Sequence, residues 1–147
     1  MSPIDQHQEQ RQRERLRRLV DRVTDEQLET SLGGDWTVGV ALAHLAFWDR
    51  RVAAQLAKWE REGRGPEPRD QIDSAVINEA SLAQWRALSP RAAATEALAA
   101  VEAADQALAR ADPRVIEQVI AQNGPFSLPR AVHRAEHLDQ IERAIGT

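Results

Sequence analysis

Three histidines have the spacing that metal chemistry would need in this chain of 147 residues. His133 and His137 are four residues apart, so on a helix their rings lie on one face about one turn from each other. His44 falls at the centre of an apolar helical face in a separate segment. Burying three imidazoles without partners would cost several kcal/mol. One metal ion would satisfy a nitrogen on all three rings at once.

Each part of this pattern has a simpler interpretation when taken alone. A pair of histidines four residues apart arises by chance on surfaces, and a lone histidine on an apolar face is more often a core residue with ordinary partners. The combination predicts one divalent transition metal ion bound by His44, His133 and His137. Neutral imidazoles suit Zn²⁺, Ni²⁺, Fe²⁺ or Cu²⁺ rather than Mg²⁺ or Ca²⁺. Three protein ligands leave a coordination position open, as in catalytic sites.

Composition excludes several other classes of function. The net charge of −4 argues against nucleic-acid binding. No apolar run approaches the roughly 18–20 residues that span a bilayer, and the polar amino terminus lacks the apolar stretch of a signal peptide, so we expect a cytoplasmic protein. The absence of cysteine means that a thiol would have to enter as a cosubstrate. The one basic cluster, residues 11–18, is interleaved with acids such as Glu9 and is interpreted as a solvated helix side.

The elements that position the histidines are predicted to be helices. Alanine, leucine, glutamate and arginine dominate, and the pattern predicts an all-α fold of four long and two short helices without strands, forming one domain over residues 1–147. The helices are expected at residues 5–22, 25–28, 38–60, 73–88, 90–110 and 127–145.

Local signals set the ends of these helices. Thr24 and Gln27 form a capping-box pattern, and Thr37 is a predicted N-cap of the helix that carries His44. Gly33-Gly34 is expected to end the short second helix. Residues 61–70 and 111–125 are predicted loops, with a strong turn at residues 123–125 and a cap at Ser127.

A helical wheel gives the histidines different depths. His44 lies centrally, with Trp48 and Arg51 further along the same side of its helix. His133 and His137 lie toward one edge of the inner face of the last helix. The metal is therefore expected near the rim of the helical bundle, where a ligand from outside could reach it.

Three stretches of the sequence resemble the DinB-like superfamily. They are GDWTVGVALAHLAFWDRRV at 34–52, IDSAVINEA at 72–80 and HRAEHLDQI at 133–141. Within the superfamily the pattern is similar to the DfsB- and ClbS-like proteins and to the metal-binding domain of mycothiol-dependent maleylpyruvate isomerases. The resemblance implies a four-helix bundle of up-down-down-up connectivity. It also implies a divalent metal, commonly zinc or nickel, on three histidines that match His44, His133 and His137.

The resemblance also implies a range of activities. Better understood relatives transfer a low-molecular-weight thiol, isomerise a thiol adduct, or hydrolyse a reactive natural product. The leading expectation is a metal-dependent thiol S-transferase or hydrolase acting on a small reactive molecule. The alternatives are a binding protein that sequesters a small molecule or metal without turnover, and a helical interaction module with a structural metal or none.

Five further residues are candidates for roles around the metal. Arg51 could hold a carboxylate or stabilise negative charge, although a rim arginine paired with an acid is the simpler interpretation. Glu79 could act as a general base, against the simpler interpretation of solvated surface. Asn78, Gln140 and Trp48 are candidates for binding substrate.

Oligomeric state is left open by the sequence. The sequence does not show that a single bundle would bury Trp59 and Trp85. A homodimer that buries them is therefore an alternative to the monomer.

Overall fold

Helices make up most of the regular structure in the computed structural model, which describes residues 4–122, 128 and 130–146. The described helices and strands, in chain order, are α1 Gln6–Arg22, α2 Asp25–Leu28, β1 Ser31–Gly33, β2 Trp36–Thr37, α3 Val38–Glu62, α4 Ser74–Ala87, α5 Pro90–Arg110, α6 Pro113–Gln122 and α7 Arg130–Ile145, with one 3₁₀ turn at Pro68–Asp70. The all-α class is confirmed. The up-down-down-up connectivity of a four-helix bundle stays a prediction.

Side-chain caps begin the helices where the sequence places them. The Thr24 hydroxyl accepts from the backbone N–H of Gln27, whose side chain accepts in return from the backbone N–H of Thr24. The Thr37 hydroxyl accepts from Val40 N–H at the start of α3. These contacts satisfy N–H groups that have no partner inside the helix. The predicted caps at Thr24 and Thr37 are confirmed, and the position of His44 in the second turn of α3 follows from the second.

The prediction that the chain has no strands is wrong for the segment between α2 and α3. Helix α2 ends at Leu28, and β1 and β2 then pair antiparallel, with Ser31 opposite Thr37. Gly33 and Gly34, expected to end the helix, instead end β1 and begin the turn, at φ values of 110° and 56° that favour glycine. Strands of three and two residues are too short to show an alternating hydrophobic pattern, which is why the sequence does not reveal them.

The predicted loop at residues 111–125 is also wrong, because it contains α6, Pro113–Gln122. Pro113 ends α5 and at the same time occupies the first turn of the next helix, where its missing N–H costs nothing. Helix α6 buries Ile116 and Val119. The predicted turn at residues 123–125 and the predicted cap Ser127 lie outside the described residues.

Helix α3 is the element on which the rest of the fold packs. It contacts α5 along its length as well as α4 and α7, while α1 contacts both α5 and α7. The buried face of α5 is formed mainly by small residues, namely Ala93, Ala94, Ala97, Ala100, Val101, Ala104 and Leu108. Small side chains let two helix backbones approach closely, so α5 lies close against α3.

The interpretation of the amino-terminal basic cluster as a solvated helix side holds for three of its five arginines, which are exposed, but not for the half-buried Arg13 or for the neighbouring acid Glu9. Glu9 is buried and accepts hydrogen bonds from the backbone N–H of Ala131 and from Arg134. Arg13 bonds Asp105 on α5 at 2.6 Å. The sequence does not show these contacts because their partners lie on other helices.

None of the helices in the described part of the chain combines the length and apolarity that crossing a bilayer requires. Trp59 and Trp85 are 2% and 5% exposed, so neither indole needs a second chain for its burial.

Candidate metal centre

Three imidazole rings converge where α3 passes α7. One ligand nitrogen from each of His44, His133 and His137 lies within 4.8 Å of the other two. The Nε2 atoms of His44 and His133 are 3.1 Å apart. The ring centroids are 4.6 to 5.1 Å from one another. The structure thus brings together the three residues that the spacing singled out, although His44 and His133 are 89 positions apart in the sequence.

The depths of the three rings match the helical wheel. His44 is 5% exposed, whereas His133 and His137 are only partly buried. The cluster therefore lies at an edge of the core, with α7 forming its outer side.

Tryptophan rings surround the cluster on its inner side. The ring of Trp36 lies 5.0 Å from that of His44 and stacks parallel to His137, with centroids 6.4 Å apart. Trp85 on α4 approaches His44 edge-on at 5.3 Å, and Trp48 lies one turn along α3 at 6.5 Å. Trp48 and Trp85 are themselves buried, so on this side the imidazoles face an apolar environment in which electrostatic interactions are stronger.

Burial and positive charge keep the three histidines neutral. Burial is the main cause that lowers the pKa of His44 to about 3, with His137 and the Arg130 guanidinium adding to it. Burial, followed by Arg130, lowers the pKa of His133 to about 2. Burial also lowers the pKa of His137, although Glu136 and Gln140 act in the opposite direction. At neutral pH all three rings therefore offer lone pairs rather than positive charges.

The donor set fits a divalent transition metal ion. Two nitrogen ligands about 2.0 Å from a tetrahedral ion lie about 3.3 Å apart, close to the 3.1 Å between the Nε2 atoms of His44 and His133. The Nδ1 atoms of His44 and His137 are buried, and neither has a hydrogen-bond partner among the described residues. Buried polar atoms without partners are costly and often mark functional sites.

The family comparison agrees with this geometry. Residues 10–138 match the family described as mycothiol maleylpyruvate isomerase N-terminal domain. The chain belongs to that family. The family is a metal-binding domain within the DinB-like superfamily, so the resemblance drawn from the sequence is confirmed. No curated protein and no solved structure matched the chain.

The sequence missed a buried ion network that supports this family member's histidines. Arg130 donates from Nε to Asp49 Oδ1 at 2.8 Å and from Nη2 to His133 Nδ1 at 2.9 Å. Asp49 also contacts the fully buried Arg134, which bonds Asp105 on α5 at 2.9 Å. The signal was present in α7, where each of two arginines precedes a histidine by three residues and so shares its face.

Two predicted substrate-binding residues bond to each other beside the cluster. The indole Nε1 of Trp48 donates to Asn78 Oδ1 at 2.7 Å, which joins α3 to α4. The Asn78 amide also favours the protonated form of His44, against the larger effect of burial. Gln140 is half-buried and has a similar influence on the pKa of His137.

The two predicted catalytic residues differ in placement. The Arg51 guanidinium lies 5.9 Å from the Trp48 ring centroid, and its Nη2 is 3.5 Å from the backbone oxygen of Asp70. Burial lowers the pKa of Arg51, and the nearby Asp70 opposes this. Glu79 is exposed, and no contact joins it to the histidines in the described ranges. Arg51 thus lies beside Trp48, one of the tryptophans around the histidines, whereas Glu79 faces solvent.

Proposed function

We propose that the protein binds one divalent transition metal ion, zinc or nickel, through His44, His133 and His137, and acts with it on a small reactive molecule. The observation that carries this proposal is the convergence of three neutral imidazoles, each at least partly buried, whose ligand nitrogens lie within 4.8 Å of one another. Membership of a metal-binding family supports it. Three histidine ligands would leave a coordination position of the metal open for a ligand that is not part of the protein.

The reaction that we propose is thiol S-transfer or hydrolysis. A bound metal ion would act as a Lewis acid that makes a thiol or water more acidic and polarises the electrophile. The chain has no cysteine, so the thiol would be a low-molecular-weight cosubstrate. The description of the matched family names a mycothiol maleylpyruvate isomerase, which supports a low-molecular-weight thiol as the cosubstrate.

The residues around the cluster suggest how substrate would bind. The indole of Trp48, fixed by Asn78, offers a flat apolar surface, and the Arg51 guanidinium beside it would hold an anionic group. Gln140, near His137, would orient a polar group of the substrate. Glu79 would need a water molecule to act as a general base, because it faces solvent.

Sequestration without turnover is the second candidate. It is favoured by the exposure of Glu79, because the carboxylate that was predicted to act as general base faces solvent. A binding protein needs the metal and the surrounding tryptophan rings but no general base.

Metal content tests the first step. Tag-free protein, dialysed against Zn²⁺ or Ni²⁺ and measured by inductively coupled plasma mass spectrometry, should hold about one equivalent. His44→Ala should lose it, and His7→Ala, which removes an exposed histidine on α1, should retain it. Wild-type protein that takes up less than about a tenth of an equivalent of any transition metal would contradict the proposal.

Turnover separates the two candidates. Metal-loaded protein is incubated with a small electrophile and a panel of low-molecular-weight thiols, and adducts and hydrolysis products are measured by mass spectrometry. We expect product above the background of the His44→Ala protein. Stoichiometric binding of the electrophile without product would identify the protein as a sequestering one.

A further inference from the structure

The contact between Arg130 and His133 fixes which nitrogen of His133 carries the proton. Arg130 Nη2 lies 2.9 Å from His133 Nδ1. A guanidinium only donates hydrogen bonds and stays protonated in proteins, so Nδ1 must be the acceptor. A neutral imidazole that accepts at Nδ1 carries its proton on Nε2.

The proton on His133 Nε2 in turn determines the state of His44. His133 Nε2 lies 3.1 Å from His44 Nε2, and a hydrogen bond between them needs one donor and one acceptor. His133 therefore donates and His44 accepts, which leaves the proton of His44 on Nδ1. In the metal-free protein the two rings are consequently in opposite tautomers.

A metal ion needs the lone pair of each ligating nitrogen. His44 already offers its Nε2 lone pair toward the cluster, whereas His133 presents an N–H there. For His133 to bind through Nε2, its proton must leave that atom, and in the neutral ring it then resides on Nδ1. Two donors, Nδ1–H and the Arg130 N–H, would then face each other at 2.9 Å.

We infer that Arg130 holds His133 in the tautomer that a metal ion cannot use, and that metal binding at His133 Nε2 breaks the hydrogen bond between them. The inference rests on the proposed metal site, and it makes Arg130 a positioning residue that lowers metal affinity. Metal-bound histidines usually donate their second N–H to a carboxylate or carbonyl, which is the opposite of this arrangement.

The surroundings of Arg130 explain why it stays in place. Its side chain is 5% exposed and its Nε is bonded to Asp49 Oδ1 at 2.8 Å. Asp49 is itself held by Arg134 at 3.4 Å. The ion pair to Asp49 can therefore persist when the bond to His133 is lost, so that the change is confined to one end of the guanidinium.

Tautomers can be observed directly in the wild-type protein. Long-range ¹H–¹⁵N correlation spectra of chelator-treated protein should show the proton of His133 on Nε2 and that of His44 on Nδ1. Addition of Zn²⁺, which is diamagnetic, should move the His133 proton to Nδ1 and leave His44 unchanged. A metal-free His133 protonated on Nδ1 would overturn the inference, and so would a zinc-loaded His133 that has no proton on Nδ1.

Three variants at position 130 separate hydrogen bonding from charge. Arg130→Gln supplies an acceptor for Nδ1–H, and Arg130→Met has a similar length without one, while Arg130→Lys keeps the charge and a donor. Because metal binding breaks the charge-assisted hydrogen bond from Arg130 in the wild-type protein, Arg130→Gln should bind Zn²⁺ about tenfold tighter than wild type or more. The zinc affinity of Arg130→Met should fall between those of Arg130→Gln and wild type, and that of Arg130→Lys should resemble wild type.

Equal zinc affinities for Arg130→Gln and Arg130→Met would mean that charge alone opposes the metal, which would overturn the inference. Circular dichroism confirms that each variant is folded before titration. Failure of the wild-type protein to bind any metal would contradict the proposed function instead, and the spectrum of the metal-free protein would still decide whether Arg130 sets the tautomer.

Discussion

Acidification should destabilise the metal-free protein strongly, because His44 and His133 are neutral when folded. In the unfolded chain each binds a proton with a pKa near 6.5, whereas folding lowers the two pKa values to about 3 and about 2. The unfolded state therefore binds more protons throughout the range between these values, and stability falls as the pH falls through it. Metal-free protein should be most stable above the pKa of the unfolded histidines.

The size of the effect follows from the same pKa values. Between pH 7 and pH 5 each of the two histidines should cost about 2 kcal/mol of unfolding free energy, or about 4 kcal/mol together. Typical domains have about 5–15 kcal/mol of stability, so the loss takes a large part of it. His44→Gln, which cannot titrate, should remove about half of the pH dependence.

Urea denaturation followed by circular dichroism measures this prediction. Chelator-treated protein is unfolded at pH 7, 6 and 5, and the unfolding free energies are compared with those of His44→Gln and of the control His7→Gln. The control should keep the wild-type slope. A loss below about 1 kcal/mol between pH 7 and pH 5, or an unchanged slope in His44→Gln, would refute the assignment of neutral buried imidazoles.

Three further predictions concern the surroundings of the site. Ni²⁺ or Cu²⁺ should quench most of the tryptophan fluorescence, because three of the four indoles lie within 6.5 Å of the His44 ring, and His44→Ala should abolish the quenching. Asp49→Asn should lower the unfolding free energy by about 3–5 kcal/mol in urea titrations, because it leaves two buried arginines without their shared carboxylate. Gly39→Ala should cost about 1–3 kcal/mol by the same assay, because its Cβ would lie 2.9 Å from the Pro90 Cβ; an unchanged midpoint would show that α3 and α5 can separate there.

The convergence of the three histidines was predictable because helical periodicity is a local property. His44 at the centre of an apolar stripe, and His133 and His137 one turn apart, can be placed on their faces from spacing alone. The caps at Thr24 and Thr37 were predictable for the same reason, since a cap depends on residues within one turn.

The features that the sequence concealed depend on contacts between distant segments. The sequence neighbours of Glu9 are mostly polar, as they are for a surface residue. Only the docking of α7 places Arg134 and the Ala131 N–H against it. The role of Trp36 depends on a hairpin too short to give a pattern. Arg130 has the right spacing to His133, but spacing does not tell which ring nitrogen it meets.

The separation of the ligands along the chain has a consequence for folding kinetics. Because His44 and His133 are 89 positions apart in the sequence, the site cannot assemble until α3 and α7 have docked, which is a non-local event. An ion bound only after that event has little influence on how fast the chain folds. It should instead slow unfolding, since interactions formed after the transition state act mainly on that rate. Metal would therefore lengthen the lifetime of the folded protein rather than guide the chain toward it.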